Sequence, residues 1–378
     1  MKRLSFSTFV VLFVSWPIMA GAQQPDLIFA TKDFSRYCTN DNTGAFSCAD
    51  LSPVESPYWS DVAVGDLDGD TRPDVVIANS AFANVLCLND GNWSFASCVG
   101  IGSGSNNTTG VALGDLDSDG DLDVVFANQN EENRLCLNDG AASFTCDVVN
   151  ADRNYTNGVA VGDLDGLLGP DLVFANQLSQ DRVCLNDGAG AFSCGDVDTG
   201  VYVAYDVTMG DLDGVNGLDL VFATTSSGAN GLVCLNNGAA SFTCTGFGII
   251  GKPVAVAVAE LDGVNGPDMI FAIANNWRPL VCLNDGAASF TCADMSSDKN
   301  DSYDVALADI NGDGTIDAII ANWGSANRRC LNDGTGVFTC SNISADTLAT
   351  KAVATIPPWH FNDDFESGDT TRWSSTVP

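Results

Sequence analysis

Seven times this chain runs from a cysteine through a stretch such as Leu-Asn-Asp-Gly-Ala-Ala-Ser-Phe-Thr to a second cysteine. The first cysteines fall at Cys38, Cys87, Cys136, Cys184, Cys234, Cys282 and Cys330, a period of 48 to 50 residues. Six of these units are preceded by an acidic stretch of the type Asp-Leu-Asp-Gly-Asp. A repeat of this length restricts the chain to a propeller, a solenoid or an array, because each unit buries its apolar face only against its neighbours.

Within one repeat, Val111-Ala112-Leu113 leads into an acidic loop from Asp115 to Asp123. Val124 to Ala127, Arg134 to Leu137 and Ser143 to Cys146 follow. These are four short runs of Val, Phe, Leu and Thr divided by Gly, Asp and Asn, and each reads as a strand. A four-stranded up-and-down unit of this size is a propeller blade. The first run is built from small residues, as at Val62-Ala63-Val64 and Val159-Ala160-Val161, which suits an innermost strand crowded around an axis. The expected fold is therefore all-β.

The two ends complete one another. Pro25 to Ala30 matches the end of an acidic loop plus a second strand, and Lys351 to Ile356 matches a first strand with nothing after it. Joining them makes a seventh blade closed by strands from both termini, which leaves no sheet edge open around the ring. A linear solenoid would need polar caps, and none is visible.

Fourteen cysteines make seven pairs. In six units the two are ten apart, which places Cys136 opposite Cys146 across a loop at Gly140-Ala141-Ala142. Facing residues lie within disulfide reach. The expected bridges are Cys38–Cys48, Cys87–Cys98, Cys136–Cys146, Cys184–Cys194, Cys234–Cys244, Cys282–Cys292 and Cys330–Cys340. The eleven-residue spacing of Cys87 and Cys98 calls for a bulge near Ala96-Ser97.

In the acidic loops, Asp66, Asp68, Asp70 and Asp74 occupy positions 1, 3, 5 and 9. Asp115, Asp117, Asp119 and Asp123 repeat this spacing, as do Asp309, Asn311, Asp313 and Asp317. Oxygen ligands at alternate positions suit a hard cation such as calcium, with the position-7 carbonyl of Arg72, Asp121 or Thr315 completing the set. Position 12 is Ile77, Phe126 or Ile320 rather than glutamate, so these are not EF-hands. Three weaker loops keep positions 1, 3 and 9 as Asp163, Asp165 and Asp171; Asp211, Asp213 and Asp219; and Glu260, Asp262 and Asp268. Position 5 is there Leu167, Val215 or Val264. The expectation is three calcium sites, rising to six if the weaker loops fill.

Residues 1–22 carry Lys2 and Arg3, an apolar stretch and Ala20-Gly21-Ala22, the plan of a secretory signal. No later stretch is long enough for a membrane span, and paired cysteines suit an oxidising compartment. A net charge of −34 disfavours nucleic acid as a partner. Residues 357–378 drop the repeat and read as either a sorting segment or a disordered end.

Acidic loop, strand and Leu-Asn-Asp-Gly hairpin in fixed register resemble the FG-GAP/VCBS repeats of integrin α-chain propellers and of many exported bacterial proteins. The resemblance covers residues 23–356 and implies a seven-bladed β-propeller with calcium in the loops joining the first two strands of each blade. The Phe-Gly/Gly-Ala-Pro signature itself is absent, so the bacterial exported type is the nearer one. The hairpin cysteines are an addition to that pattern.

Acidic loops and hairpins should share one face of the ring, because strands alternate in direction. The loops of the other face vary between repeats and carry Tyr58, Trp59, Phe82, Tyr155, Tyr202, Tyr205, Trp277, Tyr303 and Trp323. A uniform face opposite a varied one is how binding propellers are organised, and aromatic rings suit sugars. The leading expectation is a monomeric ring, secreted or at the cell surface. It would bind a glycan or protein ligand without catalysis, with Tyr58, Trp59, Tyr155, Trp277, Tyr303 and Trp323 as the contact residues. A polysaccharide-active enzyme and a purely structural surface protein are the alternatives. The only histidine, His360, lies in the tail, which leaves no Ser/His or Cys/His pair in the repeats.

Overall fold

The computed structural model describes residues 24–32, 34–55, 59–91, 95, 98–102, 107–225 and 230–356. The signal-like segment, the tail, Tyr58 and Ala96-Ser97 lie outside the described residues. The chain forms seven four-stranded antiparallel sheets. In the blade that holds Thr108–Gly114, Asp123–Asn128, Arg134–Asn138 and Phe144–Val148, the strands lie in chain order from the axis outward. The innermost strands of neighbouring blades pack side by side around the whole ring. Closure falls where the sequence places it: Thr350–Ile356 pairs with Asp26–Thr31, Asp26 facing Ile356 and Ala30 facing Ala352.

The second strand of each blade is covered on both sides, so it loses the alternation of a half-exposed strand and becomes a continuous apolar run. Every residue of Asp123–Asn128 is buried. Seven hydrophobic clusters result, each shared by two consecutive blades: Val76, Leu86, Val111 and Phe126 make one, and Leu116, Val125, Leu172 and Phe174 the next. Small residues near the axis are a steric requirement. A Cβ on Gly114 would stand 2.8 Å from Val161 Cγ1, and one on Gly162 would stand 2.8 Å from Met209 Sδ.

All seven hairpin disulfides are formed between residues that face each other in register. Their Cα atoms lie 3.9–4.1 Å apart, closer than an unbridged facing pair. The loop between them closes through the Asp139 N–H donating to the Ser143 carbonyl at 3.1 Å, so three residues, Gly140-Ala141-Ala142, make the turn. Gly140 and Ala142 both adopt positive φ, at 75° and 57°.

The asparagine that opens the hairpin turn fastens one blade to another in six of the seven blades. Asn138 Nδ2 donates to the Leu122 carbonyl of its own blade at 3.1 Å and to the Leu67 carbonyl of the preceding blade at 2.9 Å. Asn186, Asn236, Asn284, Asn332 and Asn40 reach the carbonyls of Leu116, Leu164, Leu212, Leu261 and Ile310 in the same way, at 2.7–2.8 Å. All six amides are buried, where an unpaired carbonyl would bear its full desolvation cost. Asn138→Ala should therefore lower the unfolding free energy by about 1–3 kcal/mol in urea denaturation at fixed calcium; an unchanged midpoint would contradict the clasp.

Candidate metal loops and the opposite loop face

Each acidic loop is a chain of carboxylate-capped turns. Position 1 collects the backbone N–H groups of the turn: Asp66 accepts from Gly69, Asp70 and Thr71 at 2.8–3.2 Å, and Asp309 from Gly312, Asp313 and Gly314 at 2.7–3.1 Å. Position 3 accepts from position 5, as Asp165 does from Leu167 at 3.0 Å. Where position 5 is acidic it accepts from position 7, as Asp119 does from Asp121 at 3.0 Å.

Position 9 has a different task. Asp123 is wholly buried, and its two oxygens accept the Leu116 N–H of the loop start and the Asn138 N–H at the end of the third strand, both at 2.8 Å. Asp74, Asp171, Asp219, Asp268 and Asp317 make the same pair of bonds at 2.7–3.1 Å. Burial outweighs these bonds and pushes the carboxyls up, to about 7 for Asp74 and Asp317 and to about 6 for Asp123, Asp171, Asp219 and Asp268. In the blade closed by the termini, Asp26 stands at this position without an acidic loop before it. Its Oδ1 accepts the Asn40 N–H at 2.6 Å, and the Tyr37 hydroxyl takes the place of the missing loop amide at 2.7 Å.

The loops gather carboxylates that could hold a metal ion. Oxygens of Asp115, Asp117 and Asp123 lie within 4.8 Å of one another. So do those of the three loops that lack an acidic fifth residue: Asp163, Asp165 and Asp171; Asp211, Asp213 and Asp219; Glu260, Asp262 and Asp268. Loss of the fifth carboxylate thus leaves the 1-3-9 convergence intact, and Leu167, Val215 and Val264 point to solvent, 52–70% exposed. In the first loop the converging trio is Asp66, Asp68 and Asp70, and the Arg72 side chain forms an ion pair with Asp70. In the last loop Asn311 donates to Asp313 at 2.8 Å, and Thr315 hydrogen-bonds the same carboxylate through its hydroxyl. Two carboxylate oxygens, Asp117 Oδ1 and Asp211 Oδ1, are buried with no hydrogen-bond partner. A cation would satisfy them.

Three further aspartates line the inner strands, and the sequence pattern did not single them out. Asp61 Oδ1 accepts the Val62 N–H and Oδ2 the Val111 N–H of the next inner strand, both at 2.8 Å. Asp206 bridges to Val256 at 3.0 Å and Asp304 to Val353 at 2.8 Å, so the last of them helps hold the closing strand. Burial raises Asp61 to about 6 and Asp206 to about 7, and burial and then the Asp61 charge hold Asp304 well above the usual carboxylate range.

The opposite face is less uniform. At one level of every inner strand the register with the second strand skips a residue, at Ser60, Thr109, Asn157, Tyr205, Val254, Tyr303 and Lys351. Such bulges re-aim side chains. Ser60, Thr109 and Asn157 donate to carbonyls of the next inner strand, Thr108, Thr156 and Ala204, at 2.6–2.7 Å. The other side of the ring carries rings and cations instead. Tyr303 and Trp323 have centroids 5.7 Å apart, and Lys351 Nζ lies 4.2 and 4.9 Å from them. Lys252 Nζ lies 4.3 Å from the Tyr205 ring.

Of the aromatic residues picked from sequence, Tyr303 and Trp323 are brought together. Trp277 is 45% exposed with Lys299 Nζ 5.9 Å from its ring, and Tyr155 is 38% exposed in a blade on the other side. Trp59 contributes backbone pairing to Asn79. The Tyr202 hydroxyl donates to Asp198 at 3.2 Å, and Phe82 is 52% exposed. Lys252 and Lys351 were missed, although the scarcity of lysine, five in the chain, was a signal available in the sequence.

The raised carboxyls have a consequence for stability. Their neutral form is favoured in the fold, so folding takes up protons between the ordinary carboxylate range and about pH 7. The stability they contribute is present below about pH 4 and is lost as pH rises through 6 to 7. In excess chelator the melting temperature should therefore fall between about pH 4.5 and pH 7.5; a rise over that span would contradict the burial of these groups without a cation.

A family model described as an FG-GAP-like repeat matches residues 66–126 and 115–166. No curated protein sequence matches the chain. Among solved structures, the BP39L lectin from Burkholderia pseudomallei is similar with a TM-score of 0.56 at 12% identity, covering 89% of this chain and 99% of that one. BBS1N, solved in complex with ARL6DN and soaked with lead, has a TM-score of 0.51 at 14% identity over 88% of this chain and 87% of its own. At these identities the likeness concerns the fold alone. Residues 66–166 thus match an FG-GAP-like repeat, and the four-stranded blade they form continues around the ring as a seven-bladed β-propeller.

Proposed function

We propose that this is an exported propeller that holds calcium in its acidic loops and binds a glycan, without catalysis, on the opposite face. The observation that carries the reading is the Tyr303–Trp323 pair, placed on the one face whose loops the repeat leaves free to vary. Aromatic faces stack on the C–H side of a sugar ring, and neighbouring amides and hydroxyls are suited to its hydroxyl groups. A lectin shares this fold. Seven disulfides, the signal-like residues 1–22 and the absence among the described residues of a helix able to cross a membrane support export.

Calcium fits the donor set on chemical grounds. The converging groups are all carboxylates, which suit a hard cation. The unpartnered Asp117 and Asp211 oxygens are what such an ion would satisfy. Bound there, a divalent ion supplies charge neutralisation; the chain's own carboxylates at positions 1, 3 and 9 would hold it. At pH 7 a calcium concentration about 100 times the dissociation constant should stabilise the fold by about 2.7 kcal/mol per site, read as a higher melting temperature than in chelator. Equal melting in both would remove the metal claim.

The binding claim has its own test. On a glycan array the intact protein should retain at least one sugar class, and Trp323→Ala should reduce the affinity about tenfold or more. Undiminished binding by the variant would take Trp323 out of the site.

A further inference from the structure

The charge of this protein is sorted by residue type. All eight ion pairs among the described residues use arginine, on Arg36, Arg72, Arg153, Arg182, Arg278 and Arg328. None of the four described lysines, Lys32, Lys252, Lys299 and Lys351, is in one. All four lie at the end of the ring away from the acidic loops: Lys32 between a second and a third strand, Lys299 between blades, Lys252 and Lys351 at the starts of inner strands. In a chain with 49 acidic residues, ammonium groups left without carboxylate partners require a reason.

Two of them are also set against each other. Lys351 occupies a bulge, half-buried, with its ammonium over Tyr303 and Trp323, and Lys252 rests on Tyr205. Burial lowers the Lys351 ammonium first and the Lys252 charge lowers it further, while Asp301 acts in the opposite direction. The same Asp301 and Tyr205 raise the Tyr303 hydroxyl after burial does. Tyr205, Lys252, Tyr303 and Lys351 stand at the same end of four consecutive inner strands, Ala204–Gly210, Lys252–Ala259, Ser302–Ala308 and Thr350–Ile356, which pack side by side, and so make one cluster. Asp301 is its nearby acid, and its Oδ1 already accepts the Asn275 N–H at 2.6 Å. Aromatic faces offset part of the cost of holding two cations together. An anion between them would offset more, by charge-assisted hydrogen bonds.

We propose that this cluster binds the anionic group of an acidic sugar, a carboxylate or sulfate carried on a pyranose ring, with Lys252 and Lys351 taking the anion and Tyr205, Tyr303 and Trp323 facing the ring. The proposal rests on the glycan-binding reading and adds the ligand class to it. A sugar is favoured over an acidic peptide because the cations sit among three aromatic side chains, which match the flat faces of a pyranose. A peptide would be met by a free strand edge or an apolar groove.

The test is calorimetric titration of the full chain in calcium buffer with five probes: tetragalacturonate, its methyl ester, a sulfated chondroitin tetrasaccharide, cellotetraose and hexaglutamate. Tetragalacturonate or the sulfated sugar should bind, and which of them does so identifies the anion. Esterification should weaken the galacturonate about tenfold or more, and so should Lys252→Gln or Lys351→Gln, with Lys351→Arg retaining affinity and all variants melting within about 2 °C of the parent. Equal binding of neutral and acidic sugars would overturn this inference and leave the glycan reading standing. Binding of hexaglutamate as tight as that of the acidic sugars would overturn the choice of a sugar. Failure of every sugar to bind would overturn both readings.

Discussion

A buried carboxylate that accepts two backbone N–H groups organises six of the seven blades, and in the seventh a tyrosine hydroxyl replaces one of them. Asp123 joins the first residue after its loop start to the last residue of the third strand, so one side chain sets the distance between the acidic loop and the cysteine hairpin. The asparagine whose N–H it accepts then reaches the preceding blade through its amide. Loop, hairpin and blade junction are thus one hydrogen-bonded unit, repeated around the ring. The aspartate must be ionised to accept both bonds at full strength, yet burial opposes that ionisation. A cation held by the converging carboxylates of the loop would ease the conflict.

Much of this was legible in the sequence because the repeat fixes spacing and spacing fixes geometry. Ten residues from Cys136 to Cys146 with a Gly-Ala-Ala turn admit one register, and the structure has it. Pro25 to Ala30 and Lys351 to Ile356 each read as half of a missing blade, and they pair. What stayed hidden depended on three dimensions. Nothing in the Leu-Asn-Asp-Gly stretch says that its asparagine crosses to a residue about seventy positions away. Asp61, Asp206 and Asp304 stand in strands, outside any motif, and become bridges only because the inner strands meet at the axis. The ranking of the acidic loops by their fifth residue failed to anticipate that Asp163, Asp165 and Asp171 converge as well as Asp115, Asp117 and Asp123.

The two faces differ in what constrains them. On the loop-and-hairpin face the position-9 aspartates and the hairpin asparagines hold loop, hairpin and neighbouring blade together, so substitution of them is felt as lost stability. On the other face the bulges hold the backbone while leaving the side chain free, and three of the seven use that freedom for further clasps. Tyr205, Tyr303 and Lys351 do not. Binding chemistry can vary at those positions without disturbing the ring, because the bulge, not the side chain, sets the strand path.

Hydrogen exchange in calcium and in chelator tests the central claim most directly, since it asks whether the hydrogen-bonded unit exists without the ion. The account predicts that the loop amides of Asp119 and Gly120 exchange faster in chelator, while those of Leu116 and Asn138, which Asp123 accepts, stay protected. Loss of protection at Leu116 and Asn138 together with the loop would contradict it, and would mean that the cation, rather than the buried aspartate, holds each blade.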